Sequence, residues 1–458
     1  MKVIVCGAGL VGTTIARQLA ADGNEVTMID VSSDRANKAA ESYDLRGIVG
    51  HASHPDVLEQ AGAADSDMLI AVTFADEVNM VACEVAHALF NVPTKIARVR
   101  AQSYLKPEWA DLFNQKHISI DYIISPEIEV ARAIHRRILT PGAFDMIPFA
   151  DDRLRLIGVR LDEDCPVLNT PLRQLTGLFP DLAINICGIN RNGALLVPDA
   201  NDHLEAGDEI YFCALKDHVQ RGMRLFGHEE REARRIVLCG GGNIGMFLAR
   251  EIEAAQPSVL LKVVEANRDR AEFVAGQLKN AVVLNGDSLD MDILNEAKVG
   301  AAEAIIALTN DDEVNILTSL LAKRAGAQRA ITLVNNPAYE PLIGSLGVDV
   351  VVNPRSTTVS SILQHVRRGR IRGVHSLMDG AAEVMEAEAV ETSALVGRPL
   401  AELNLPDGLM IGAIIRGDAV MIARGDSEIE AGDRVILFVR RDAVKKVEKL
   451  FAVRLEFF

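Results

Sequence analysis

The 458-residue sequence is short of the features that mark metal centres, membrane spans and nucleic-acid binding. Its six cysteines, at 6, 83, 165, 187, 213 and 239, form no CxxC pair and no cysteine–histidine cluster at metal spacing. That excludes zinc-ribbon chemistry and reads as small buried hydrophobes in a reducing compartment. Positive charge is also scarce, with 48 Lys and Arg against 64 Asp and Glu and a net charge of -16. No nucleic-acid partner is expected, because phosphates demand basic surface, and a basic macromolecular partner is electrostatically easier. Long apolar runs are missing too: Met68 to Val72 (MLIAV) falls far short of the roughly 20 residues that span a bilayer. The opening MKVIVCGAG has neither the apolar core nor the cleavage site of a signal peptide, so a cytoplasmic location is expected.

Catalytic constellations are absent as well. No Ser/His/Asp or Cys/His arrangement has supporting context, and His51 and His54 sit together in a turn that reads as solvent-facing. No catalytic or metal residue is assigned. What remains, 49% hydrophobic and 24% charged residues, is the mixture of a soluble globular protein, and the length implies two to four domains.

The chain is internally duplicated. VCGAGLVG (Val5 to Gly12) returns as LCGGGNIG (Leu238 to Gly245), and Asp76-Glu77-Val78-Asn79 returns as Asp312-Glu313-Val314-Asn315. DYIISP at 121–126 matches DVVVNP at 349–354, TPLRQL at 170–175 matches RPLAEL at 398–403, and EAGD at 205–208 matches EAGD at 430–433. In each copy short β-rich runs alternate with helical stripes, which means βαβ units and a parallel sheet. The fold class is therefore α/β, with two Rossmann-like doubly wound sheets, each followed by a small α+β lobe. The expected boundaries are 1–140 and 145–226 for the first pair, a charged linker at 228–235 (HEEREARR), then 236–369 and 373–453. Stripes after Pro126 and Pro354 mark crossover helices that pack into the core or cover a neighbouring subunit. The lobes suit dimerisation.

Gly7, Gly9 and Gly12 have GxGxxG spacing after a strand and at the opening of a helix, as do Gly240, Gly242 and Gly245. The first glycine permits the turn, the second admits a pyrophosphate, and the third allows close packing of helix on strand. The amides around Leu10 and Val11, and around Asn243 and Ile244, open the helix towards negative charge. Asp30 follows Gly12 by 18 residues and Glu265 follows Gly245 by 20, where a carboxylate meets the adenosine ribose and disfavours a 2′-phosphate. NAD(H) fits, and so does ATP or ADP, because the motif specifies an adenine nucleotide and not its second half. Thr73 and Thr309 stand where they could bond ribose or phosphate, or simply cap the next helix. Arg98, in ARVR, could pair with phosphate; matching ARVR with LVNN sets Val334 against it. Matching Gly50-His51-Ala52-Ser53 with Asn285-Gly286-Asp287-Ser288 sets Asp287, able to bond an adenine amino group, against Ala52.

Taken in order, VCGAGLVG with MID, Thr73 with DEVN, ARVR, and the doubled layout resemble the tandem RCK (regulator of potassium conductance) family of Trk potassium-uptake peripheral subunits. The likeness spans essentially the whole chain. It implies a homo-oligomeric ring, a tetramer, joined through the crossover helices and docked on a membrane potassium-translocating subunit of the Trk type. It also implies gating by NADH/NAD and by ATP/ADP, with the binding positions carried onto Gly7, Gly9, Gly12, Asp30, Thr73 and Arg98, and onto Gly240, Gly242, Gly245, Glu265, Asp287 and Thr309. The alternative is an NAD-dependent oxidoreductase.

Overall fold

The computed structural model describes residues 1–43, 45–114, 116–179, 181–343, 346–363, 365–366 and 371–451. The first parallel fold runs β1 (Lys2–Cys6), α1 (Leu10–Ala21), β2 (Glu25–Asp30), α2 (Ser33–Tyr43), β3 (Arg46–Val49), α3 (Pro55–Gln60), β4 (Met68–Ala71), α4 (Asp76–Phe90), β5 (Thr94–Arg98) and β6 (Tyr122–Ile124), then the crossover helix α5 (Pro126–Ile138). Its sheet order is β3-β2-β1-β4-β5-β6 with every pairing parallel. Ile4, Ile70, Ile96 and their neighbours are buried because helices cover both faces, which is why these strands read as unbroken apolar runs. The order reverses between β1 and β4, and that reversal opens a crevice at the carboxyl ends of the strands.

The first lobe comprises β7 (Ala143–Phe149), β8 (Leu154–Arg160), α6 (Leu172–Leu178), β9 (Ile184–Arg191), β10 (Ala194–Leu196), β11 (Glu209–Leu215) and α7 (Val219–Leu225). Its five strands are antiparallel in the order β10-β9-β11-β8-β7.

The second copy repeats both parts. β12 (Arg235–Cys239), α8 (Asn243–Ala255), β13 (Leu260–Glu265), α9 (Arg268–Gln277), β14 (Val282–Asn285), α10 (Met291–Glu296), β15 (Ala304–Ala307), α11 (Asp312–Ala325), β16 (Ala330–Leu333), α12 (Glu340–Ile343) and β17 (Val350–Val352) lead to the crossover helix α13 (Pro354–Leu363). The sheet order β14-β13-β12-β15-β16-β17 is the same as in the first fold. β18 (Ile371–Leu377), β19 (Ala382–Glu388), β20 (Leu409–Arg416), β21 (Ala419–Ile422), β22 (Arg434–Arg440) and α14 (Val444–Leu450) form the second lobe.

The chain separates into two compact units, 1–130 with 354–365, and 131–353 with 366–458. This differs from the boundaries read from the sequence: α13 follows the second fold in the chain but packs on α1 and β6. Arg355 Nε donates to Thr14 Oγ1 at 3.1 Å there. α13 thus packs on the first fold of its own chain. Of the expected boundaries, 367–369 and 452–453 lie outside the described residues.

In the second unit the two lobes pack sheet against sheet. Ile147, Phe149 and Leu156 of the first share one buried cluster with Val384, Ala413 and Ile436 of the second. Glycine makes that approach possible. A Cβ on Gly188 would lie 2.3 Å from Phe438, and one on Gly412 2.6 Å from the Cys213 sulfur. The repeated EAGD turn also has its explanation here. Buried Asp208 accepts from Arg191 Nε at 2.9 Å and from the Glu205 amide at 2.9 Å, and Asp433 does the same with Arg416 and Glu430. Each aspartate fixes the turn that launches the last strand of its lobe.

Candidate nucleotide clefts

Both glycine turns have the backbone that the spacing requires. Gly7 has φ +107° and Gly240 φ +110°, conformations open to glycine and strained for other residues. A Cβ on Gly12 would lie 1.8 Å from Gly7 O, and one on Gly245 2.0 Å from Gly240 O, so the third glycine of each turn is fixed by packing. The middle one is different: a Cβ on Gly9 or Gly242 would meet nothing within 4 Å. No side chain caps α1 or α8, leaving their first amides to point into that space. Leu10 and Asn243 are exposed at the rim, with Val11 and Ile244 half-buried behind them. These residues fit a pyrophosphate, which would lie over the middle glycine and take the amide donors.

Asp30 Oδ2 accepts from the Ala8 amide at 2.7 Å, and Oδ1 from the Ser32 amide at 2.8 Å. Glu265 repeats this with Gly241 at 2.7 Å and Asn267 at 2.9 Å. Each acid therefore shapes its glycine turn. A carboxylate has about four lone-pair positions, so two remain for ribose hydroxyls.

Thr73 and Thr309 close the β4 and β15 side. The amide and hydroxyl of Thr73 both donate to Asn79 Oδ1, at 2.8 and 2.7 Å, while Asn79 Nδ2 donates to Arg98 O at 2.9 Å. Thr309 and Asn315 repeat the set, with Asn315 Nδ2 donating to Leu333 O at 3.0 Å. The asparagine of the repeated DEVN segment thus ties two strand ends together across the crevice. Its aspartate does related work: Asp76 Oδ2 accepts from the amides of Arg100 and Ala101, and Asp312 from those of Asn335 and Asn336. Sequence reading marked DEVN as a repeat and gave it no role; a buried Asn at the same helical position in both copies was the signal.

Two residue pairings from the sequence need correction, each by one position. Asn79 and Asn315 reach the carbonyls of Arg98 and Leu333, so Leu333, not Val334, stands opposite Arg98. The amides of Gly50 and Gly286 bond to the carbonyls of Asp30 and Glu265, so Asp287 stands opposite His51, not Ala52. Both slips arose from aligning letters where the ladder fixes register. Asp287 is exposed, with Oδ1 held by the Leu289 amide at 2.9 Å.

Cation placement also differs. Arg98 Nε is buried without a hydrogen-bond partner, and burial lowers the guanidinium pKa, as does neighbouring Arg100. Such an orphan donor at a strand end suits a phosphate oxygen. In the second cleft Arg270, on α9, donates through Nε to Gly241 O at 2.7 Å and lies 5.0 Å over the Phe273 ring; sequence reading passed over it.

Fold and clefts together define a class: a duplicated Rossmann-type protein with two glycine-turn clefts and two packed antiparallel lobes. Among the described residues no group of three or more His, Cys, Asp or Glu could hold a metal ion, and no helix is long and apolar enough to cross a membrane. The TrkA-N domain family matches residues 3–126 and 236–354, and the TrkA-C domain family matches 156–227 and 384–452. The Trk system potassium uptake protein TrkA of Azorhizobium caulinodans is 54% identical over 458 residues, covering 100% of both chains. That of Halomonas elongata is 42% identical over 462 residues, again with 100% of each covered. The chain belongs to the TrkA family of Trk potassium uptake proteins. Among solved structures, the GsuK channel bound to NAD has a TM-score of 0.61 at 20% identity, with 99% of this chain and 79% of that one covered. The isolated GsuK RCK domain also scores 0.61, at 20% identity, with 99% and 95% covered. These two likenesses establish the fold.

Proposed function

We propose that this protein is a cytoplasmic regulatory subunit that binds NAD(H), and ATP or ADP, in its two clefts and gates a membrane potassium-translocating subunit of the Trk type. Curated relatives named for potassium uptake across the full chain support the transport role, and on that ground the oxidoreductase alternative is set aside. The observation that carries the nucleotide reading is the open space over Gly9 and Gly242, in loops otherwise closed by packing. A solved neighbour of the same fold is described as bound to NAD.

The mechanism is linkage. A nucleotide changes channel activity only in so far as it binds one arrangement of the assembled subunits better than another. The glycine turns and helix amides hold the phosphates, Asp30 and Glu265 orient the ribose, and Asn79 and Asn315 couple the β4 and β15 ends to the neighbouring strand. A homo-tetrameric ring would sum several such biases, and the net charge of -16 suits docking on basic cytoplasmic loops. The test is potassium flux through the partner reconstituted with this chain, during titration with NADH, NAD, ATP and ADP. At least one nucleotide is expected to change the flux, and less so when both Gly9→Glu and Gly242→Glu are present. Flux indifferent to all four would overturn the reading.

A further inference from the structure

The two clefts share a backbone and differ at their rims in a consistent way. At the carboxyl ends of β1, β2, β3 and β4 the first cleft presents Leu10, Val31, Val49 and Phe74, which are 67%, 68%, 50% and 86% exposed. Matched through the glycine turns, the acid positions, the β-ladder and the threonines, the second cleft carries Asn243, Ala266, Asn285 and Asn310. Four apolar side chains thus border one crevice where three amides and an alanine border its twin. Large exposed apolar side chains gathered at the rim of one crevice point to a binding site.

What covers it follows from the cradle. Asp30 sets the adenosine end over β2, beside Val31 and Val49, and the phosphates pass over Gly9. Anything attached beyond the second phosphate then runs towards β4, where Phe74 follows Thr73 and the Arg100 guanidinium lies 5.8 Å from the phenyl centroid. A flat ring there would cover the most exposed large apolar side chain of this rim. In the second cleft the corresponding place is occupied by Asn310, and the cation is instead Arg270 beside the glycine turn, which favours phosphates over a second ring.

We infer that Phe74 is a specificity-determining residue, and that the first cleft selects dinucleotides by stacking their second ring while the second cleft reads only the adenine nucleotide half. This rests on the nucleotide-binding reading above. The test uses the full chain with one cleft closed at a time. Gly242→Glu isolates the first cleft and Gly9→Glu the second, both placing a side chain where the fold leaves room. Calorimetric titration compares NADH with ADP-ribose, the same molecule without its nicotinamide. In the first cleft NADH is expected to bind roughly tenfold tighter than ADP-ribose, the size of one aromatic stacking contact. Phe74→Asn should remove that advantage and leave ADP-ribose unchanged, while Asn310→Phe should create it in the second cleft. Equal affinities in the unmodified first cleft would overturn the inference with nucleotide sensing intact. So would Phe74→Asn weakening both ligands alike, or changing only the oligomeric state in sedimentation, which would make Phe74 a subunit contact. Failure of both ligands in both clefts would overturn the nucleotide-binding reading, and this inference with it.

Discussion

The two halves of this chain share one backbone plan and have diverged where side chains meet solvent. Strand order, the positive-φ glycine, the acid that bonds the turn, and the Thr–Asn tie recur in both folds. The rims and cations do not: Arg98 ends β5 in the first fold, and buried Leu333 takes its place in the second. Packing therefore preserved what closes the crevice, and left free what a ligand or partner would touch. The lobes show the same division. His375 of the second lobe occupies the strand position held by buried Ile147 in the first, between the packed sheets.

The largest effect should come from breaking what the halves share. Gly12→Ala and Gly245→Ala each drive a Cβ into a carbonyl oxygen at 2.0 Å or less, and each should cost about 3 to 5 kcal/mol, read as a lower denaturation midpoint. A clear difference between the two would mean that the folds are not equivalent in packing. Next come the acids. Asp30→Ala should weaken adenine nucleotides at the first cleft by about 1 to 3 kcal/mol, measured calorimetrically with the second cleft closed. The matching Glu265→Ala should do less, because Glu265 is half-buried where Asp30 is buried; the reverse order would sink this account of the ribose contact.

A smaller effect separates the lobes. Burial holds the His375 imidazole down from 6.5 to about 4, with Arg136 adding repulsion and Asp145 opposing both. The folded state therefore resists protonation that the unfolded chain accepts. Stability should be full above about pH 6.5 and fall as pH drops towards 4. Substituting His375→Ile, to match Ile147, should flatten that part of the pH profile. An unchanged slope in chemical denaturation would show that the imidazole is not held neutral by the seam.

Much of this was legible because local chemistry is repeated in order. Gly7, Gly12 and their partners could be read from spacing because only glycine fits those places, and the acids because they end the second strand of each fold. The pairing of Arg98 with Leu333 was not legible, since one-residue register depends on hydrogen bonds between distant strands. Nor was the role of Asn79, whose partners lie 6 and 19 residues away. Arg270 was missed because a helix-surface arginine looks like any other until the turn it bonds has been placed.

The sequence by itself determined the duplicated α/β plan and the two glycine turns, because these depend on short-range backbone sterics and periodicity. Only the tertiary structure decided that α13 belongs with the first fold, that the lobes share one core, and that the two rims differ in kind. Those outcomes depend on which surfaces meet, and contacts between residues hundreds of positions apart leave no mark in local spacing.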